Sequence, residues 1–495
     1  MAVIPDSRLL LETSSFLAAA VQHPHIGGSR RTGAGERREN VDPATGRVTS
    51  VVASPTIEEV DFAVTAARRA FPAWSRTPPA TRSLLLYRLA DLVERHGEMF
   101  AQLETLDTGK AIRESRADVN RAVDGLRFYA GCARQLRGET LAVDESWAVS
   151  TLRKPLGVVA AIVPWNVPLV LTICKTAPAL AAGNTVVVKP SEQTPLTALA
   201  LADLAGEAGL PPGALNVVPG SGRTIGMFLV EHAGVDKVTF TGSTRTGIAI
   251  ARAAAASVKG VALELGGKSP NLVFADADLD EAARGAADAI FYGQGQICTA
   301  GSRLLVERSV YEDLLERVAA QAEAFRVGDP LDDETELVSL ISEPHLDSVL
   351  AAVKRALDEG AELVTGGQRL QAGSLSAGAF MEPTVLANEH QDAFIEQEEV
   401  FGPVLVTAAF DTEEEAVARG NASRYGLSAG VWTADRRRAR RVVESLEAGV
   451  VWVNGYNAFD AAVPFGGVKQ SGNTREWSHI AMDTFTQLKT IWDRM

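Results

Sequence analysis

The sequence predicts an α/β fold built as two doubly wound parallel-sheet domains with a small β arm for oligomerisation. Three observations carry that expectation. Short β-branched runs alternate with helical patterns in two separate series, one over 157–265 and one from 271 onward, which is the signature of βαβ units. The 495 residues exceed what one ordinary hydrophobic core organises. Two further alternating stretches, 138–156 and 482–495, stand outside both series and read as strands that leave the body of the molecule.

In chain order, residues 1 to about 50 read as irregular, with Gly27-Gly28, a Gly/Arg-rich run through Arg38 and a turn at 42–46. Two long helical patterns follow at 57–73 and 79–107. The polar, alternating stretch 138–156 predicts a hairpin. The apolar run 157–163 stops at Pro164-Trp165-Asn166, and the run 185–188 stops at Lys189-Pro190. Then come 215–218, a helix near 222–232, 237–240, a helix near 244–257 and 261–265. The second series runs through 271–274, 303–306, 404–408 and 450–453. The tail alternates at Phe485, Leu488 and Ile491, and such isolated strands predict edges paired across subunits. The expected division is 1–137 with 157–263, then 264–470, with 138–156 and 471–495 as oligomerisation segments.

Composition excludes several function classes. Hydrophobic residues at 46 % and charged residues at 22 % describe a globular chain. A net charge of −14 repels phosphate backbones and anionic lipid, so neither nucleic acid nor a membrane is an expected partner. The one dense basic run, Arg436, Arg437, Arg438, Arg440 and Arg441, is followed by Glu444 and Glu447 and reads as a salt-bridged helix face. Cys132, Cys174 and Cys298 are too few and too irregularly spaced for disulfides or zinc and fit a reducing cytoplasm. The N-terminus, with Asp6 and Glu12, lacks a targeting pattern, and no apolar stretch reaches the ~20 residues a bilayer needs.

Four features bear on chemistry. Cys298 lies in the glycine-rich Gly293-Gln294-Gly295-Gln296-Ile297-Cys298-Thr299-Ala300-Gly301 between a helix (about 278–292) and a strand. Glycines let backbone approach a ligand, which a core cysteine does not need. Cys132 and Cys174 sit in apolar helical patterns and read as core. Glu264 ends an apolar run beside Gly266-Gly267, which faces a crevice in an open α/β sheet; it reads equally as an exposed strand-terminal acid. Asn166 follows another strand and could donate to an oxyanion, although taken alone it reads first as a turn or cap. The turn 240–247 aims backbone N–H groups at phosphate, and Lys189 and Glu192 follow the strand where a dinucleotide's ribose is commonly held.

Together these pieces closely resemble the aldehyde dehydrogenase superfamily. The resemblance rests on Pro164-Trp165-Asn166, Lys189-Pro190-Ser191-Glu192-Gln193-Thr194-Pro195, the turn 240–247, Glu264-Leu265-Gly266-Gly267-Lys268, the loop 295–303, Glu399-Val400-Phe401-Gly402-Pro403 and Pro464-Phe465-Gly466-Gly467, in that order. It covers the chain from about residue 26 to its end. It implies that Cys298 attacks an aldehyde, that Asn166 holds the oxyanion and that Glu264 activates the water that hydrolyses the resulting thioester. It implies NAD as cofactor, held by Trp165, Lys189, Ser191, Glu192, Gly242, Ser243, Leu265, Glu399 and Phe401. The Glu192 carboxylate favours NAD, while Lys189 leaves NADP open. The implied substrate tunnel comprises Arg121, Val167, Leu171, Cys174, Phe459 and Phe465; no metal is implied.

Three positions depart from common family patterns. Cys174 stands where many members carry a tryptophan, which implies a wider tunnel. Thr474 interrupts the C-terminal Ser-Gly-x-Gly-Arg-Glu pattern, and Arg121 stands where amine-aldehyde members tend to place an acid. The segment from Trp452 to Trp492 nevertheless looks most like members acting on γ-aminobutyraldehyde derivatives, so an aminobutyraldehyde or betaine-aldehyde specialist stands as the alternative. A non-enzymatic relative would be free to lose Cys298, Glu264 or Asn166, and a CoA-acylating one does not need Glu264. The resemblance implies a homodimer or homotetramer.

Overall fold

The computed structural model describes residues 7–495. Asp6, part of the stretch read for targeting signals, lies outside the described residues. Two seven-stranded sheets and a three-stranded sheet organise the chain, beside a separate hairpin. In the first large sheet the parallel strands Gly260–Glu264, Lys237–Thr241, Val158–Ile162, Thr185–Lys189 and Leu215–Val217 lie side by side in that order. Val159, Ala161, Val186 and Val188 enter one apolar cluster, and Val158, Ala160, Ile162 and Val187 enter the other. A sheet covered on both faces explains why its strands read as continuous apolar runs.

The second sheet orders Glu362–Thr365, Thr384–Ala387, Val404–Phe410, Arg303–Glu307, Pro270–Val273, Ser428–Trp432 and Val450–Val453, all parallel except the first. Three of these strands escaped the sequence reading. Ser428–Trp432 is rich in small residues, and Glu362–Thr365 and Thr384–Ala387 are four residues each. All three are too short or too poor in β-branched residues to signal alone.

Residues 7–53 are more ordered than expected. They hold the helix Leu11–Leu17, two short strands, His25–Ile26 and Ser29–Arg30, that extend the first sheet antiparallel, and a hairpin of Arg37–Val41 with Val48–Ala53 around the turn at 42–46. The charged sequence of Arg37–Val41, with only Asn40 buried, conceals the alternation. The pattern at 79–107 is two helices, Pro79–Arg95 and Gly97–Thr108, broken at His96. The basic run forms the helix Arg436–Ser445, with Arg440 on Glu444, Arg441 on Glu413 and Arg438 on Asp276; Glu447 pairs instead with Lys469.

The two isolated segments find each other within the chain. Thr140–Asp144 and Trp147–Pro155 form the hairpin, and Thr486–Arg494 pairs antiparallel along the whole of Trp147–Pro155. Residues 471–485 do not join this arm; they pack on the site, with Gly472 bridged to Glu264 and Glu476 to Phe465. Among the described residues no helix is long and apolar enough to cross a membrane, and no group of three or more His, Cys, Asp or Glu could hold a metal ion.

Candidate active site

Two strand ends and one loop converge between the large sheets. Val158–Ile162 runs out into Trp165 and Asn166, Gly260–Glu264 ends on Glu264, and Cys298 precedes Arg303–Glu307. The first sheet therefore offers its carboxyl ends, and the second offers the loop entering it. In the first sheet the chain's order reverses between Val158–Ile162 and Lys237–Thr241, the switch point at which such sheets open a crevice.

The Cys298 loop is held in an uncommon conformation. Gly293, Gln294 and Gly295 take φ of 58°, 57° and 66°, a left-handed run that costs free energy at the non-glycine Gln294. The surroundings impose it. Gly293 N–H donates to Glu114 at 3.3 Å, Ile341 N–H donates to Gln296 Oε1 at 2.9 Å, and the Tyr456 hydroxyl donates to Thr299 O at 2.9 Å. Gly295 lies so near Gly402 that a Cβ would stand 2.1 Å from its carbonyl oxygen. The Cys298 thiol is pushed up to about 12, first by burial and then by the Glu399 and Glu264 carboxylates, so at neutral pH it carries its proton.

Glu264 is 3 % exposed, and neither carboxylate oxygen has a hydrogen-bond partner. Burial, followed by the charge of Glu476, holds it well above the usual carboxylate range, with Lys175 and Arg475 opposing. A carboxyl so placed is a stronger base once ionised. Asn166 Nδ2 donates to Gln296 O at 2.8 Å. An amide carries two such protons, which leaves one for an oxygen at Cys298.

Lys175 and Glu476, which the sequence reading did not single out, lie behind Glu264. Lys175 Nζ is 2.5 Å from Glu476 Oε1, and Cys174 Sγ is 3.0 Å from Glu476 Oε2. The available signal was a lone lysine inside the apolar helix Pro168–Ala182, since a buried ammonium must find a partner.

Of the residues assigned to a cofactor, Trp165 lines the cavity at Cys298, and Glu399 and Phe401 line a small pocket on the other side of the same loop. The Trp165 ring lies edge-on to Phe401 at 5.3 Å and to His345 at 5.6 Å. Glu399 accepts Gly267 N–H at 2.9 Å and is pushed up to about 7 by burial, with that N–H and Lys268 opposing. Gly267 itself must be a glycine, because a Cβ would stand 2.3 Å from Cys298 O. Lys189 ends its strand, donates to Gly220 O at 3.1 Å and is lowered to about 8 by burial, with Glu192 opposing. Glu192 sits 3.4 Å from Arg38, and the Ser191 hydroxyl accepts Gln193 N–H at 3.3 Å. Ser243 caps the helix Thr244–Ala255, Gly242 N–H donates to Glu264 O at 3.1 Å, and Leu265 N–H donates to Ser471 O at 2.8 Å. This set fits a dinucleotide: carboxylates suit ribose hydroxyls, a helix start suits phosphate, and the buried Thr241 hydroxyl lacks a partner.

A tunnel leads to Cys298. Val167, Leu171, Phe459 and Phe465 line it, together with Trp452 and Trp477, which the sequence reading passed over. Arg121 lines it too, with Nη1 3.0 Å from Asp118 Oδ1 and 3.3 Å from the Tyr292 hydroxyl. Cys174 is not in the wall. Its helix turns the thiol toward Glu476, so cysteine at this position leaves the lining to its neighbours Val170 and Leu171.

Comparison with known proteins returns a consistent set. The model of the aldehyde dehydrogenase family matches residues 31–491. Phenylacetaldehyde dehydrogenase of Pseudomonas fluorescens is 46 % identical, covering 98 % of this chain and 99 % of that protein. The NADP/NAD-dependent aldehyde dehydrogenase PuuC of Escherichia coli is 45 % identical, covering 96 % of each. The NAD+ complex of an aldehyde dehydrogenase from Bacillus cereus aligns at a TM-score of 0.96 and 42 % identity, covering 98 % of this chain and 99 % of that one.

Proposed function

Since the chain belongs to the aldehyde dehydrogenase family, we propose that it oxidises an aldehyde to a carboxylic acid with NAD, through covalent catalysis at Cys298. The observation that carries this reading is Cys298 in the wall of an apolar tunnel, with Asn166 beside its loop and the buried, unpartnered Glu264 within electrostatic reach.

The thiol loses its proton to Glu264, and sulfur bonds to the aldehyde carbon while the carbonyl electron pair moves onto oxygen. The Asn166 amide and the Cys298 backbone N–H stabilise that oxyanion. NAD, held by Trp165, Lys189, Ser191, Glu192, Gly242, Ser243, Leu265, Glu399 and Phe401, supplies the hydride acceptor when bound. As the carbonyl forms again the C–H bond would break with its electron pair going to that acceptor, leaving a thioester on Cys298, and Glu264 gives its proton up to solvent. Glu264 then takes a proton from water, whose oxygen bonds to the carbonyl carbon as the C–S bond breaks, releasing acid and thiol. Glu264 supports hydrolysis over transfer to CoA. Glu192 supports NAD first and NADP second, and a relative named for both cofactors agrees.

In this reading 1–137 and 157–263 bind the cofactor and 264–470 carry catalysis. The substrate is an aldehyde with an apolar, ring-bearing body, supported by Phe459, Phe465 and Trp477 in the tunnel and by the phenylacetaldehyde enzyme among the relatives. Leu141, Val143, Leu488 and Trp492 are exposed on the arm and support a homodimer or homotetramer built through 138–156 and 486–494. Three free cysteines support the cytoplasm. The test is stoichiometry: purified protein with arylaldehyde and NAD yields NADH and carboxylate one to one without CoA. NADH formation that requires CoA would overturn the hydrolytic reading.

A further inference from the structure

The segment that follows the strand Val450–Val453 serves two places at once. Asn457 and Phe459 line the tunnel, and Tyr456 between them and the strand reaches the Cys298 loop. Local bonds shape this segment. Asn454 and Asn457 take φ of 51° and 56°, a left-handed setting that asparagine tolerates better than most residues. Asn454 exchanges two hydrogen bonds of 3.0 Å with the Thr433 backbone, and Trp452 Nε1 donates to Ala458 O at 3.1 Å. Two glycines make room for the tyrosine. A Cβ on Gly430 would stand 2.9 Å from its ring, and one on Gly301 would stand 3.2 Å from it.

Tyr456 meets the turn that carries the nucleophile. Ala300 N–H donates to Ile297 O at 3.0 Å, which makes Cys298 and Thr299 the two central residues of a β-turn. Thr299 is held at both of its oxygens. Its carbonyl accepts the Tyr456 hydroxyl at 2.9 Å and the Ser428 hydroxyl at 3.3 Å, and its own hydroxyl donates to Asn457 Oδ1 at 3.1 Å. Burial holds the Tyr456 phenol above its usual range, so it keeps its proton and donates.

We propose that Tyr456 is a positioning residue for the acylation half-reaction, an inference that rests on the function proposed above: its hydroxyl pins the Thr299 carbonyl, and through the shared turn it sets where the Cys298 thiol and backbone N–H point. Sulfur must approach the carbonyl carbon while the N–H receives the oxygen. A small misplacement of either costs rate without touching the binding of the aldehyde's body. Tyr456 and Phe459 stand on one short segment, so a single support keeps the tunnel wall and the nucleophile in register.

The experiment measures first-turnover NADH formation with an arylaldehyde in wild type, Tyr456→Phe, Ser428→Ala and the double variant. Each rate is normalised to NAD sites counted by titration, so loss of folded protein does not enter it. Phenylalanine keeps the ring between its glycines and removes only the hydroxyl. Tyr456→Phe slows the first turnover roughly three- to ten-fold, the worth of one hydrogen bond. The aldehyde concentration that gives half the maximal rate stays within about two-fold of wild type. Ser428→Ala, whose bond is longer, costs less. The double variant loses more than the product of the single losses, because two donors on one oxygen support each other. An unchanged first turnover in Tyr456→Phe, a loss carried by the half-saturating concentration, or single losses that merely multiply overturns the inference while wild-type NADH stands. Absence of that NADH in wild type overturns the functional reading, and the inference with it.

Discussion

Glu264 and Glu192 are carboxylates that follow parallel strands of one sheet, yet they stand in different media. Glu264 is 3 % exposed with both oxygens bare, and burial drives it toward the neutral form. The Glu192 side chain is 40 % exposed and rests against Arg38. Arg121, at the tunnel, resembles Glu192: its side chain is 35 % exposed and shared with Asp118. Coulomb interactions weaken roughly in proportion to the local dielectric, so the same charge acts strongly inside and weakly at the rim. In the function proposed above, reaction chemistry therefore falls to the interior, and recognition of cofactor and substrate ends falls to the rim.

Substitutions should separate the two regions by magnitude. The largest effect is expected for Cys298→Ala, with kcat falling by at least about a thousand-fold while NAD titration shows near-normal binding. A variant retaining a tenth of wild-type turnover would move the chemistry away from this loop. Glu264→Gln comes next. First-turnover NADH persists, but carboxylate release slows by about a hundred- to ten-thousand-fold. Because Glu264 is held above the normal range and works deprotonated, wild-type hydrolysis is present at high pH and lost as pH falls through that raised value, and Glu264→Gln flattens this limb. A limb that survives in Glu264→Gln assigns it to another group.

At the rim the expected changes are small. Glu192→Ser narrows the ratio of kcat/KM for NAD over NADP by on the order of ten-fold, since only repulsion of an exposed phosphate is relieved. A wild-type preference for NADP would invert the reading of this position. The smallest change belongs to Arg121→Gln, which raises kcat/KM for a cationic aldehyde relative to a matched neutral one by about three- to five-fold. An unchanged ratio would leave Arg121 as the partner of Asp118 and Tyr292 only, and the C-terminal resemblance to aminobutyraldehyde enzymes would become the better guide to substrate.

The residues legible in the sequence share a property: their local neighbourhood is itself unusual. Cys298 stands among glycines, Glu264 ends an apolar run beside two more, and Asn166 follows Pro164-Trp165 where a strand stops. Continuous β-branched runs announced the first sheet because both of its faces are covered. Glu476 has no such mark; it stands two residues beyond Thr474, among mixed polar residues.

The sequence by itself determined the alternation of strands and helices and the family, and it singled out the residues proposed above to bear the chemistry, because each is written in contiguous patterns or motifs. Tertiary structure alone decided that the hairpin 138–156 receives the chain's own C-terminal strand, that Arg37–Val41 pairs in a hairpin, and that Cys174 turns from the tunnel to Glu476. The farthest of these contacts, Trp147 with Arg494, joins residues 347 apart, and Cys174 lies 302 residues from Glu476. What pairs across such distances depends on which buried donors and charges remain unsatisfied once the helices and sheets have packed, and no local pattern carries that information.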